Sequence, residues 1–158
     1  QDALLIAAAA IGVNLIGAVG VPFTATDSAW FAALELPSYY PPNWAFGVVW
    51  PVLYALIGAA AAFVYLAGRD GTAKPGRVRT ALALFAVQLV VNVAWSPVFW
   101  GLERPDLGLA VLGALLALVV AAMAAFARVD RRAALLLIPY FAWICFATAL
   151  NYGIWALN

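Results

Sequence analysis

The sequence predicts an all-α integral membrane protein, a single bundle of five transmembrane helices. Three observations predict it. Of the 158 residues 68% are hydrophobic and only 9% charged, whereas a soluble domain is roughly half apolar and about a quarter charged. The apolar residues fall into five stretches, each near the ~20 residues that cross the hydrocarbon layer as a helix. Seven of the eight basic residues sit in two connections: Arg69, Lys74, Arg77 and Arg79 in one, Arg128, Arg131 and Arg132 in the other.

The first span, about 3–25, carries one strongly polar residue, Asn14, and ends near Pro22. It lacks the basic region that precedes a signal-peptide core, so it reads as a membrane span and not as a removed leader. The connection after it, about 24–43, is long and built from Thr, Asp, Trp, Pro and Tyr. Length marks it as a lid, and Pro37, Pro41 and Pro42 stiffen it; a rigid interfacial anchor is the alternative. In the second span, about 44–66, Trp50, Tyr54 and Ile57 share a helix face.

The third span, about 79–101, contains "QLVVNVAWSPVFWG", in which Gln88, Asn92 and Ser96 recur every four residues on one face. Amides in lipid are costly unless paired, so this stripe points into the bundle or toward a cavity. Interhelical hydrogen bonding and contact with a flat ligand are both open, with Trp95 and Phe99 flanking the stripe and Pro97 predicting a kink. The fourth span, about 107–127, has small residues at Gly113, Ala117, Ala121 and Ala125, a spacing suited either to packing within the bundle or to a homodimer seam. In the fifth, about 133–156, Trp143, Ala147, Leu150 and Asn151 fall on one face, and Cys145 lies about 200° from Trp143. Cys145 reads as an inert buried thiol; Trp44, Trp100 and Trp155, near span ends, read as interfacial.

Composition excludes several functions. Net charge is +1, with no basic cluster to follow a phosphate backbone, so nucleic acid is not an expected partner. Histidine is absent and there is one cysteine, which removes the usual general base, catalytic triads and thiolate metal sites; no metal site is expected. No acidic residue falls within a span to relay protons. The positive-inside rule places the amino terminus in the cytoplasm, and a prokaryotic cell membrane is the simplest home for so short a chain.

Three segments together, "WFAALELPSYYPPNWAFGVVWPVLY" from Trp30, "QLVVNVAWSPVFWG" from Gln88 and "PYFAWICFATALNYGIWALN" from Pro139, resemble the translocator protein, or tryptophan-rich sensory protein (TspO), family over nearly the whole chain. The resemblance implies a five-helix bundle, commonly dimeric, whose first loop closes over a pocket for porphyrins such as protoporphyrin IX and haem. It implies roles in tetrapyrrole transport, stress signalling or light-dependent porphyrin breakdown. By position, the family's pocket residues correspond to Trp50 and Trp143, to Asn92 and Trp95, to Ala147, and in the loop to Trp30 and Phe31. With neighbours on the same faces and in the loop, the candidate ligand-binding set is Trp30, Phe31, Pro42, Trp50, Tyr54, Asn92, Trp95, Trp143, Ala147, Leu150 and Asn151.

Departures from the family pattern limit what carries over. Phe31 replaces a frequent tyrosine, Leu36 a frequent lysine and Tyr39 a frequent tryptophan. The cholesterol motif of animal members needs a basic residue where this chain has Ala156, so specific cholesterol binding is not expected. The expectation is a porphyrin- or haem-binding membrane protein for tetrapyrrole transport, scavenging or stress sensing, requiring no cofactor. Two alternatives are kept: a light-dependent porphyrin-degrading enzyme with Trp50 and Trp143 as catalytic residues, and a regulatory protein that binds partner helices.

Overall fold

The computed structural model describes residues 1–158. Five helices, Asp2–Phe23, Asn43–Arg69, Pro75–Gly101, Pro105–Ala127 and Arg131–Leu157, are long and apolar enough to cross a membrane. Around the bundle they neighbour one another in the order first, second, fifth, fourth, third, and the ring closes where the third meets the end of the first.

Prolines and caps set the helix boundaries. Helix α1 (Asp2–Gly17) tightens into a 3₁₀ turn over Ala18–Phe23 that contains Pro22. In the following connection Ser28 caps the short helix α2 (Ala29–Ala32), its hydroxyl accepting from the Phe31 N–H at 3.1 Å. Helix α3 (Asn43–Arg69) begins after Pro42 and carries Pro51 eight residues in. Helix α4 (Pro75–Ser96) has proline at its first position, where a missing N–H costs nothing, and widens after Ser96 into a π turn over Pro97–Gly101. Pro97 has no N–H for the helical ladder, so the expected kink takes the form of this wider turn. Helix α5 (Pro105–Ala127) again starts at proline. The fifth span is two pieces, α6 (Arg131–Leu136) and α7 (Ile138–Leu157), broken just before Pro139.

The core runs down the middle of the ring. Ile57 and Val64 of α3, Leu115, Val119 and Phe126 of α5, and Tyr140 and Ile144 of α7 are essentially inaccessible. Large apolar side chains on the outside, such as Val48, Val90, Val120 and Leu135, face what would be lipid. Helices α1 and α3 cross backbone to backbone at Gly58, where a Cβ would come within 2.7 Å of the Ala9 carbonyl oxygen.

Three outward positions differ from, or decide between, sequence expectations. Cys145 is exposed, not buried, because the face opposite Trp143 points out of the ring. Gly113 and Ala117 are exposed as well, and nothing lies within 4 Å of a Cβ built on Gly113. Those two small residues therefore do not pack within the bundle; α5 makes its inward contacts with the opposite face, Leu112, Leu115, Val119 and Phe126.

Candidate functional site

A cavity of about 480 Å³ opens inside the ring beneath the 24–43 connection, within the roughly 300–1,000 Å³ of small-molecule sites. Its walls follow from helical periodicity. Phe46, Trp50 and Tyr54 descend one face of α3 at four-residue intervals, Asn92, Trp95, Ser96 and Phe99 descend α4 into its π turn, and Trp143, Ala147, Leu150 and Asn151 descend α7. Leu112 and Leu115 of α5 complete the inner wall, and Phe31 and Tyr40 reach in from the connection.

The walls are mostly aromatic. The Trp50 ring stacks on Tyr54 with centroids 5.3 Å apart and meets Trp143 edge to face at 6.3 Å and 87°. Across the cavity Trp95 stacks on Phe99 at 4.7 Å. Such pairs hold the rings at set angles and contribute about 0.5–1.5 kcal/mol each beyond their burial.

Two hydrogen-bonded sets hold the polar residues. The Tyr54 hydroxyl donates to Asn92 Oδ1 at 2.7 Å, Asn92 Nδ2 donates to the Tyr140 hydroxyl at 2.9 Å, and Tyr140 donates to Gln88 Oε1 at 2.7 Å. This chain ties α3, α4 and α7 together at membrane depth. Trp95 Nε1 donates to Asn151 Oδ1 at 3.0 Å, and Asn151 Nδ2 donates to the Pro105 carbonyl at 2.7 Å, fastening α4 and α7 to the start of α5. Gln88 Nε2 and Trp143 Nε1 are buried without a partner. No Asp, Glu, Lys or Arg lines the cavity. Burial also raises the Tyr40 hydroxyl above its ordinary value, so this group is neutral near pH 7.

Of the candidate residues, Phe31, Trp50, Tyr54, Asn92, Trp95, Trp143, Ala147, Leu150 and Asn151 line this cavity, whereas Trp30 and Pro42 do not. Trp30 turns its ring against Phe99 at 5.6 Å and Trp100 at 6.1 Å, behind the wall. Pro42 is exposed at the start of α3. Trp100 lines the cavity and is 9% exposed, against the expectation of an interfacial ring: the π turn rotates it inward onto Phe31, 4.9 Å away. Trp44 and Trp155 are 72% and 50% exposed, as an interfacial position requires. Tyr39 does not line the cavity; its hydroxyl donates to the Ala149 carbonyl on α7 at 2.9 Å.

Tyr140 was missed by the sequence reading although a signal existed, since Tyr140, Ile144, Ala147 and Asn151 fall on one helical face. Gly17 and Gly20 were missed for a different reason. A Cβ at Gly17 would overlap the Tyr54 ring and one at Gly20 would reach 2.9 Å from Ser96 Oγ, approaches that only the assembled bundle reveals.

The chain matches the TspO/MBR family over residues 5–156. It is 40% identical to the tryptophan-rich protein TspO of Chlorobaculum tepidum, covering 98% of this chain and 97% of that protein, and 40% identical to the one of Archaeoglobus fulgidus, covering 100% and 99%. It is 36% identical to the human translocator protein over 82% of this chain and 75% of that protein. An all-helical fold with five membrane-spanning helices, a match that runs almost end to end, and relatives of full length agree: the chain is an integral membrane protein of the TspO/MBR family.

Proposed function

We propose that the cavity binds a flat, largely apolar tetrapyrrole of the protoporphyrin IX or haem type, and that the protein serves tetrapyrrole transport, scavenging or stress sensing. The observation that carries this reading is the set of aromatic faces on three helices, Trp50 with Trp143 on one side and Trp95 with Phe99 on the other, around about 480 Å³ with no charged lining. A planar aromatic ring system stacks on such faces. Its carboxylates find no basic partner inside and belong at the cavity's edge, where Thr24, Thr26 and Asn43 are exposed. The unpartnered Trp143 N–H is a donor that an acceptor on the ligand would satisfy. Names among the relatives, such as tryptophan-rich sensory protein and CrtK, fit a role of this kind.

The test is a titration of the purified protein with protoporphyrin IX in the dark, followed by tryptophan fluorescence, beside the Trp50→Phe/Trp143→Phe variant. Saturable, stoichiometric quenching is expected, with affinity weakened roughly tenfold in the variant, the loss of about 1.4 kcal/mol of ring contact. Quenching that never saturates, or that the variant leaves unchanged, refutes the reading.

A further inference from the structure

The exposed part of the cavity lining is confined to one side: Ala18, Val21 and Thr24 at the end of the first span, Thr26 just after it, and Asn43, Gly47 and Pro51 of α3. The lining residues contributed by α4, its π turn, α5 and α7 are buried or half-buried. The opening therefore lies in the side of the bundle, between the first and second spans.

Its lower end is closed by contacts between α1 and α3. The backbones of α1 and α3 touch at Gly58, and Asn14 Nδ2 donates to the Pro51 carbonyl at 3.2 Å. Past Gly17, which packs on the Tyr54 ring, the chain turns from α3 toward α4, where a Cβ at Gly20 would lie 2.9 Å from Ser96 Oγ. Pro51 lies eight residues into α3, about 12 Å along its axis, so the opening extends from the connection down into the depth of the apolar layer. Gly47 stands at its middle, and a Cβ there would meet no atom within 4 Å.

The roof, by contrast, is fastened. The Asn158 side chain pairs with the backbone of Glu35 in both directions, accepting from its N–H and donating to its carbonyl, each at 2.9 Å. Tyr39 donates to the Ala149 carbonyl, and Pro37 and the Tyr39 hydroxyl sit over Gly153, where a Cβ would come within 3.1 and 2.6 Å of them. These contacts anchor the connection to α7, on the side away from the opening.

We propose that the cavity exchanges its ligand with the bilayer through this side opening, with Gly47 setting the width, while the connection above stays in place. The proposal rests on the reading of the cavity as a ligand site. The edges of the opening grade from polar, at Thr24 and Asn43, to apolar, at Val21, Ala18 and Pro51. A bilayer grades the same way from interface to hydrocarbon. A planar amphipathic molecule dissolved in the membrane meets a matching surface at every depth: its ring slides between the helices while its carboxylates stay at the interface. Entry through the roof would require breaking the Asn158 and Tyr39 bonds and drawing the ring through water.

The experiment measures dark association and dissociation rates of protoporphyrin IX with the full chain in lipid nanodiscs, by tryptophan quenching. Gly47→Ala, Gly47→Leu and Gly47→Phe narrow the opening in steps; Tyr39→Phe/Asn158→Ala releases the roof without touching the cavity lining. Entry and exit are both expected to slow as residue 47 grows, about tenfold for phenylalanine, and the roof variant to match the wild type. Three results overturn the proposal: faster exchange in the roof variant, rates independent of the size of residue 47, or weaker binding at residue 47 without slower entry. Failure of the cavity reading looks different, since quenching would then be non-saturable in the wild type or indifferent to Trp50→Phe/Trp143→Phe.

Discussion

Tyr140 shows how a single side chain sets the bundle's interior. A phenol in an apolar run must find partners once water is gone, and this one is 1% exposed, accepting from Asn92 and donating to Gln88. Replacing it by phenylalanine removes one oxygen and strands two amides. Tyr140→Phe is therefore expected to destabilise the protein by about 1 kcal/mol, read as earlier thermal unfolding in detergent. Combining it with Asn92→Leu should cost less than the sum of the two single changes, because both act on one chain of hydrogen bonds. Additive costs would show that the chain is not a unit. Gln88 and Asn92 were legible as an inward stripe from their four-residue spacing, since lipid forbids the other orientation. Which residue they would meet was not legible, because Tyr140 lies 52 and 48 positions away from them in sequence.

At the scale of the element, helix ends carry most of the local information. Asp130 caps α6, accepting from the Arg132 N–H at 2.8 Å while pairing with the Arg132 guanidinium at 3.0 Å. The Arg132 guanidinium, outweighing partial desolvation, and backbone N–H groups hold the Asp130 carboxyl below its usual pKa. A carboxylate with a lowered folded value stabilises most above its ordinary pKa, about 3.9, and that contribution fades as pH falls through the lower, folded value. Asp130→Ala should cost about 1 kcal/mol near pH 7, and its deficit against the wild type should shrink in thermal scans taken below about pH 4. A deficit of constant size across that range would assign the effect to something other than the charge. The same local logic made the prolines readable as boundaries. It did not reveal that Pro97 would produce a π turn, and that turn is what swings Trp100 from the expected interface into the cavity wall.

For the molecule as a whole, the ring arrangement decides which faces meet lipid. Cys145 lies on the outward face of α7, near the middle of its span, where an apolar surrounding suppresses the thiolate, so it is expected to resist a charged, membrane-impermeant maleimide in intact vesicles and to react once the protein is denatured. Rapid labelling by the impermeant reagent would contradict its placement at membrane depth. The five spans and their inward polar stripe were foreshadowed by the sequence, because a chain in lipid must satisfy its polar groups internally and signals each inward face by periodicity.

Contacts made only once the helices cross were decided by the tertiary structure. Gly58 lets α1 lie against α3, and Gly20 lets the end of the first span lie against Ser96 of α4. Asn158 and Tyr39 bind the connection to α7, and Trp30 packs behind the wall instead of within it. Residue type and spacing report which way a side chain faces on its own helix. They carry no record of the angle at which that helix meets the next, and that angle determines where the cavity lies and where it opens.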